Sequence, residues 1–547
     1  MSGNGPDRSP SPRVDVCVVG GGIAGALIAH SLARDGYEVV VLEAGPRFDF
    51  ESRLERMERA LRPDVDDLSV WDMGGDRDAY TSSGSQEYNL NETRVKGVGG
   101  TTLHWSGFTP RLHEKDFEMN SRYGLATDWP ISYRDLQPYY AAAESAVGVA
   151  GGSDNPFAPP REEEYPLPPF PTGPVDALYR EACSSLDITL HSAPQARNSE
   201  GYDGRSQCVG YSTCSPVCPS GAKYSGDVHI QKAEDEGARV IDRAAVQYLD
   251  HDESGETVEA AVYNTPGETE LRQEARTFVL AAGGVEIPRL LLLSRSDQYP
   301  DGLANSSGLV GNYFMDHPIA SVVGRIEKPD GQEPIFWWPL ESEQFYDHDE
   351  ARPGSIKLEF RQRSAVEPLG ALSGYDSRRQ DLTDAVLADD WDDTTEQSQR
   401  AGDSWVAFVG GIVETLPNVN NQVRLNTDQT DDHGNPVPDV SYDIGAHATE
   451  TMEHALDVQT RILEEMGATD LRRVGPQNPW HGAHHMGTTR MGEDPAESVV
   501  DPDLGTHDLD NLFVGSSSVF VTSGAVNPTL TIAALSLRLA DHLDERL

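Results

Sequence analysis

The sequence has 547 residues, too many for one compact core of ordinary domain size, so two domains or one large domain with insertions are expected. Its 43 Lys and Arg against 90 Asp and Glu give a net charge of −47, spread through most segments, which excludes nucleic acid as a partner, because phosphate binding needs a basic face. So acidic and lysine-poor a chain looks like proteins of hypersaline habitats, where salt screens self-repulsion, and no apolar run approaches the roughly 20 residues of a membrane helix.

Residues 1–13 are polar and rich in Ser and Pro, with neither the apolar core of a signal peptide nor a twin arginine, and are expected as a disordered tail. Residues 14–20 read as a buried strand, 23–34 as an Ala-rich helix closed by Gly36, and 37–42 as a second strand. Between strand and helix, Gly20-Gly21-Gly22-Ile23-Ala24-Gly25 fits GxGxxG. Gly20 allows the tight turn, Gly22 lets the backbone approach a pyrophosphate, and Gly25 lets helix and strand pack closely. The helix N-terminus adds a partial positive charge. Glu43, 18 residues after Gly25, is placed to accept hydrogen bonds from an adenosine ribose. The unit reads as a dinucleotide site, with FAD and NAD both open at this point.

A loop-rich region leads to Gly97-Val-Gly-Gly-Thr-Thr-Leu-His-Trp-Ser-Gly107, and prolines then crowd into 156–174, a linker or an extended surface excursion. Three of the five cysteines follow as C-x5-C-x3-C-P at Cys208, Cys214 and Cys218. The odd count and the crowding argue against a disulfide framework and for a metal or redox site. Thiolates so spaced can converge on one soft metal, and a Cys followed by Pro is similar to ferredoxin loops. Zinc is the competing reading, but no His or fourth Cys follows nearby to complete a tetrahedral site; three cysteines suit a 3Fe-4S cluster. Cys17, within the first strand, and Cys183, within an expected helix, read as core. The chain has no Cys-x-x-Cys-His and so no c-type haem of its own.

Residues 239–280 alternate apolar runs with turns and end in a strand entering Gly283-Gly284, with a Leu-rich helix expected from Ile287. Strand-like pieces between 319 and 440, such as 405–414 and 422–425, are interrupted by the acidic stretch 376–403; together they read as an antiparallel sheet domain with a solvated loop. From 481 the chain returns to glycine turns and ends in an apolar helix over 529–543.

His481-Gly-Ala-His484-His485-Met-Gly-Thr-Thr, Asn511-Leu-Phe-Val-Gly-Ser-Ser-Ser and Ser523-Gly-Ala-Val-Asn527-Pro-Thr-Leu-Thr, taken with the fingerprint, the 97–107 loop and 280–294, resemble the glucose-methanol-choline (GMC) oxidoreductase family. The resemblance implies an α/β fold. A discontinuous Rossmann-like FAD-binding domain is expected over 14–115, 205–318 (with an Fe-S loop at 205–225) and 476–547, and an antiparallel-sheet substrate-binding domain over 116–204 and 319–475. It implies that an alcohol loses its hydroxyl proton to a histidine while hydride passes to flavin N5. By family spacing that base is His484, with His485 the adjacent alternative, and an imidazole titrating at about 7 suits the task. Asn527 would orient the substrate hydroxyl. Gly99, Gly100 and Thr101 would approach the isoalloxazine, and Gly515 and Ser516 the pyrophosphate or ribityl chain. His104 lies where similar pyranose oxidases attach FAD covalently; flavin-side packing is the alternative expected here.

The cysteine spacing, continued by Gly221-Ala-Lys-Tyr224 and Val228-His-Ile230, resembles the flavoprotein subunits of bacterial glucose, gluconate and fructose dehydrogenases, in which three such cysteines ligate 3Fe-4S. That resemblance implies a dehydrogenase of sugars, sugar acids or polyols that hands electrons singly to a protein acceptor, a cytochrome-type haem subunit, beside a small accessory subunit carrying the export signal. Two other readings stay open: an oxidase that reduces oxygen, and a redox-sensing or electron-carrying flavoprotein without substrate chemistry. The His484 and Asn527 pair counts against the last. Substrate identity and side of the membrane are not legible in the motifs.

Overall fold

The computed structural model describes residues 6–62, 65, 67–211, 213–327, 338–348, 354–364 and 404–547; the acidic stretch 376–403 lies outside them. The first sheet grows from β1 (Val14–Val19), α1 (Ile23–Arg34) and β2 (Val39–Leu42). Beyond Asp15 at its start, β1 is apolar and buried on both faces, as a parallel strand covered on both sides must be. It pairs in parallel with β2, Val16 opposite Val39, and on its other side with Glu268–Leu280, Val19 opposite Leu280. That long strand does two jobs. Its first half pairs antiparallel with Val258–Thr265, and its end takes Leu512–Val514 as a parallel neighbour. The two ends of the chain therefore share one sheet, as a discontinuous Rossmann-like domain requires, and the final helix, Thr529–Arg546, packs on α1.

The second sheet is antiparallel throughout, in the order Thr469–Val474, Pro318–Glu327, Ser404–Val413, Ile356–Ser364, Leu340–Ser342 and His191–Ser192. Helix Gly445–Glu465 covers it through Met452, Leu456 and Ile462, which are buried against Val322 and Val409. The short strand Trp480–His481 pairs with the start of Pro318–Glu327 and delivers the chain to His484, where the two sheets meet. Among the described residues no helix is long and apolar enough to cross a membrane.

Four local expectations change. Gln422–Thr430 leaves the large sheet and forms a small one with Pro436–Ser441 and Thr81–Ser83. The Leu-rich helix starts at Gly283, before Ile287. The excursion 116–204 is divided: Tyr133–Val147 packs on the last helix, Tyr140 bonding to Thr531 (2.8 Å), whereas Pro174–Ser185 joins the second core. From Asp7 onward the expected tail is held, because Arg8 pairs with Asp242 (2.9 Å), its carbonyl accepts from Tyr263, and Ser11 N donates to Gln273.

Candidate active site

The fingerprint glycines divide by what a Cβ would meet. At Gly25 it would lie 2.0 Å from the Gly20 carbonyl oxygen, and at Gly20, with φ of +110°, 2.6 Å from the Ala281 oxygen. These two glycines let strand, helix and neighbouring strand close up. At Gly22 the nearest atom is Gly100 Cα at 3.9 Å, so the space before the helix N-terminus stays open for a phosphate. Gly22→Val should fold with the thermal stability of the cofactor-free parent and bind no dinucleotide, a result read from melting temperature and cofactor content together.

Glu43 fixes the same turn: its two carboxylate oxygens accept from Gly21 N and Gly45 N, both at 2.8 Å. Burial pushes its carboxyl up to about 6 against those two bonds. Each oxygen keeps a second lone pair for a hydroxyl. The 97–107 turn docks on the fingerprint, Gly99 N donating to Gly21 O (2.9 Å), and Gly100, with φ of +58°, brings its Cα where a Cβ would sit 2.8 Å from Gly22 Cα. A continuous cleft of about 2710 Å³ is lined by Gly20, Gly22 and Glu43, by Thr101, His104, Gly515 and Ser516, and by His484, His485 and Asn527. Pockets of about 300–1,000 Å³ hold a drug-sized ligand, so a dinucleotide and a substrate fit together. Gly515 is glycine chiefly because a Cβ would meet Ile28 of α1 at 2.7 Å. Burial, with Lys223 and His485, drives the His104 imidazole down to about 3, so it is neutral.

At the far end, one hydrogen-bond chain fixes the protons of the catalytic candidates. His317 Nε2 faces the Gly524 carbonyl at 3.0 Å, and its Nδ1 faces His484 Nδ1 at 2.7 Å. A carbonyl only accepts, so His317 carries its proton on Nε2, and burial keeps it neutral. His484 must then donate from Nδ1, which leaves Nε2 as a lone pair. Lys357 Nζ donates to Asn527 Oδ1 (2.8 Å), turning the amide so that Nδ2 faces His484 Nε2 at 3.4 Å. Asp316 Oδ1 holds both histidine amides, from His317 N (2.7 Å) and His484 N (2.8 Å), while Tyr88 donates to Oδ2. The turn before His484 places Ala483 at φ +63°, a left-handed conformation that costs energy for alanine. Burial, then His317, Lys357 and His485, hold the His484 imidazole well below its ordinary value, so it is neutral at pH 7. His485 instead meets Thr93 Oγ1 (2.9 Å) and packs against the rings of Tyr88 and Phe314.

Strand alternation puts Lys357, Glu359 and Arg361 on one face. Glu359 and Arg361 line the cleft with Phe108, Trp338, Phe408 and Trp480, and the last two rings lie parallel, 6.1 Å apart. Lys357 is fully buried; it bonds to Glu359 (2.9 Å) and Glu341 (3.4 Å), which outweigh burial and hold its ammonium above the ordinary value. Lys357→Met strips Glu341 of its ammonium and leaves Glu359 to Arg361 alone, and should cost about 3–5 kcal/mol in a denaturant titration. His317 and Lys357 escaped sequence reasoning. The available signals were the polar pair Asp316-His317 ahead of an apolar strand, and one of only six lysines alternating with Glu.

In the thiol loop Cys214 and Cys218 are buried and Cys208 half-buried, and all three are free thiols. Lys223 N donates to Cys218 Sγ (3.4 Å). Burial opposes ionisation of Cys218, but the Lys223 amide and ammonium, with Ser220, hold the thiol below its ordinary value. Ser215 of the loop lines the cofactor cleft.

A family model described as GMC oxidoreductase matches residues 417–536, and one described as FAD dependent oxidoreductase matches 15–53. The chain is 36% identical to the fructose dehydrogenase large subunit of Gluconobacter japonicus over 97% of both chains. The chain belongs to the GMC oxidoreductase family. To the 2-methyl-1,2-propanediol dehydrogenase of Mycolicibacterium austroafricanum this GMC oxidoreductase is 30% identical, over 98% of its own length and 96% of that protein's. A formate oxidase of Aspergillus oryzae shares the fold, with TM-score 0.67 at 16% identity over 98% of this chain and 99% of the other. The GMC oxidoreductase is thus an FAD-dependent enzyme, and the glycine cradle and long cleft fit that cofactor.

Proposed function

We propose that the enzyme is a dehydrogenase of a sugar, sugar acid or polyol, with D-fructose the first substrate to try, and that its electrons leave through a 3Fe-4S centre on Cys208, Cys214 and Cys218 to a protein acceptor. The observation that carries the chemistry is the chain Lys357, Asn527, His484, His317, which keeps one imidazole lone pair on the cleft beside an amide donor. A substrate hydroxyl bound there accepts from Asn527 Nδ2 and gives its proton to His484 Nε2 as its carbon loses hydride. The carbon becomes a carbonyl, and His484 returns the proton to water. Bound FAD supplies the hydride acceptor, and the thiolate-held centre supplies a one-electron outlet. In balance, one alcohol yields one carbonyl, two protons and two electrons, taken by two equivalents of a one-electron acceptor. Glu359, Arg361 and the Phe408–Trp480 faces suit a ligand with several hydroxyls and apolar C–H edges.

The thiol loop suits an iron–sulfur centre better than zinc. A structural zinc needs four protein ligands on one ion, whereas among the described residues the three sulfurs do not all lie within 4.8 Å of one another and no His, Asp or Glu joins them in such a group; a cluster takes each thiolate on a different iron. Arg197 Nε and Nη2 are buried there with no hydrogen-bond partner among the described residues, fitting a centre that brings negative charge. The relative that is a large subunit supports a multi-subunit assembly, with a small accessory subunit and a cytochrome-type acceptor. His104 holds FAD by packing rather than by a covalent bond. A net charge of −47 supports work at high salt, so the melting temperature should rise between low and molar KCl; a flat or falling response counts against it. The function itself is tested by a dye-linked screen of sugars and polyols on anaerobically purified enzyme, with His484→Ala as control. Stoichiometric peroxide in air would favour an oxidase instead.

A further inference from the structure

Lys223 is only 2% exposed, and its ammonium donates to three carbonyls drawn from two loops: Leu103 (3.1 Å), Trp105 (2.6 Å) and Cys214 (2.6 Å). Leu103 and Trp105 flank His104 on the turn that lines the cofactor cleft, whereas Cys214 belongs to the thiol loop. An ammonium has three donors, and all three are used in this one junction. Trp105 Nε1 closes it from the other side on Tyr224 O (2.8 Å).

The charge at this junction needs explaining. Lys223 has no carboxylate ion-pair partner among the described residues, nor has Arg197, which sits opposite it in an antiparallel bridge and leaves Nε and Nη2 without acceptors. Two buried cations lacking carboxylates are out of place in a chain with 90 acidic residues, since a buried charge is costly unless compensated. The groups in reach that become anionic as metal-bound thiolates are Cys208 beside Arg197, and Cys214 and Cys218 beside Lys223.

We propose that Lys223 is the positioning residue of the electron path: it holds the flavin-side turn against the thiol loop and, with Arg197, supplies the positive charge that balances the thiolate-held centre. The inference rests on the reading of the three cysteines as iron ligands. Two electrons released per alcohol cross this junction one at a time, and two equivalents of a one-electron protein acceptor take them up.

The test compares Lys223→Met and Lys223→Arg with the parent holoenzyme. It reads iron content, the midpoint potential of the centre, and the separate rates of flavin reduction by substrate and of transfer to a soluble c-type cytochrome. Losing the cation makes an added electron less welcome. The Met variant should therefore fall by about 60 mV, one tenfold step for a one-electron couple, and its transfer rate should drop about tenfold more than its reduction by substrate. The Arg variant should recover the potential. If the Met variant does not accumulate folded, Lys223→Gln is read the same way. An iron-loaded Met or Gln variant with unchanged potential and unchanged transfer overturns the role of Lys223 alone. A parent enzyme without iron overturns the cysteine reading beneath it, and this inference with it.

Discussion

Replacing His484 by alanine is expected to slow flavin reduction by substrate by about 10²–10⁴-fold, the usual contribution of a positioned base, while flavin content and melting temperature stay near those of the parent. The side chain lines the cleft, its backbone amide keeps the bond to Asp316, and water entering from the cleft can replace the ring as partner of His317 Nδ1. Its Nε2 is the one ring nitrogen of the pair His484 and His485 that meets Asn527, so His485→Ala should cost far less. The pH dependence follows with a definite sign. A base works in its unprotonated form, present above its pKa, and burial with His317 and Lys357 holds that pKa well below the ordinary 6.5. The reduction rate should therefore stay level from pH 7 to below 6.5 and decline only in more acid solution. A profile that bends near 6.5, or an alanine variant with parental flavin reduction, would place the base elsewhere.

Cys214→Ser is expected to remove iron while leaving FAD bound. Cys214 is buried in the loop, and a hydroxyl is a poor substitute for a soft thiolate ligand. Substrate should still reduce the flavin within about twofold of the parent rate, because His484 and Asn527 are untouched. Turnover with a c-type cytochrome should fall by about two orders of magnitude for want of a one-electron outlet, and a dye that takes both electrons directly should be spared. Equal losses with both acceptors would mean that the loop merely supports the cofactor cleft.

How much of this was legible depended on distance along the chain. The unit β1-α1-β2 was readable because its signals are local: an apolar run, three glycines and an acid within one supersecondary unit. His484, His485 and Asn527 were found through their motif. His317 and Lys357 were not, because the second sheet brings them from 167 and 170 residues away to His484 and Asn527, and strand register leaves no mark in local spacing. The same limit misplaced Gln422–Thr430: alternation announces a strand and does not say which sheet it joins. Residues 116–204 divided between two cores because their helices each carry an apolar face that either core could bury. The thiol loop was conspicuous by its cysteines, yet the lysine and arginine that attend it look like ordinary surface charges in sequence. Only their burial sets them apart.

The proposed function requires that substrate electrons reach an iron centre in the thiol loop. Low-temperature electron paramagnetic resonance of the anaerobically purified, oxidised enzyme, before and after addition of a sugar or polyol substrate, tests this directly. The expected result is the signal of an oxidised 3Fe-4S centre and its disappearance when substrate is added. Stoichiometric zinc without iron, or an iron signal that substrate leaves untouched while peroxide accumulates in air, would contradict it.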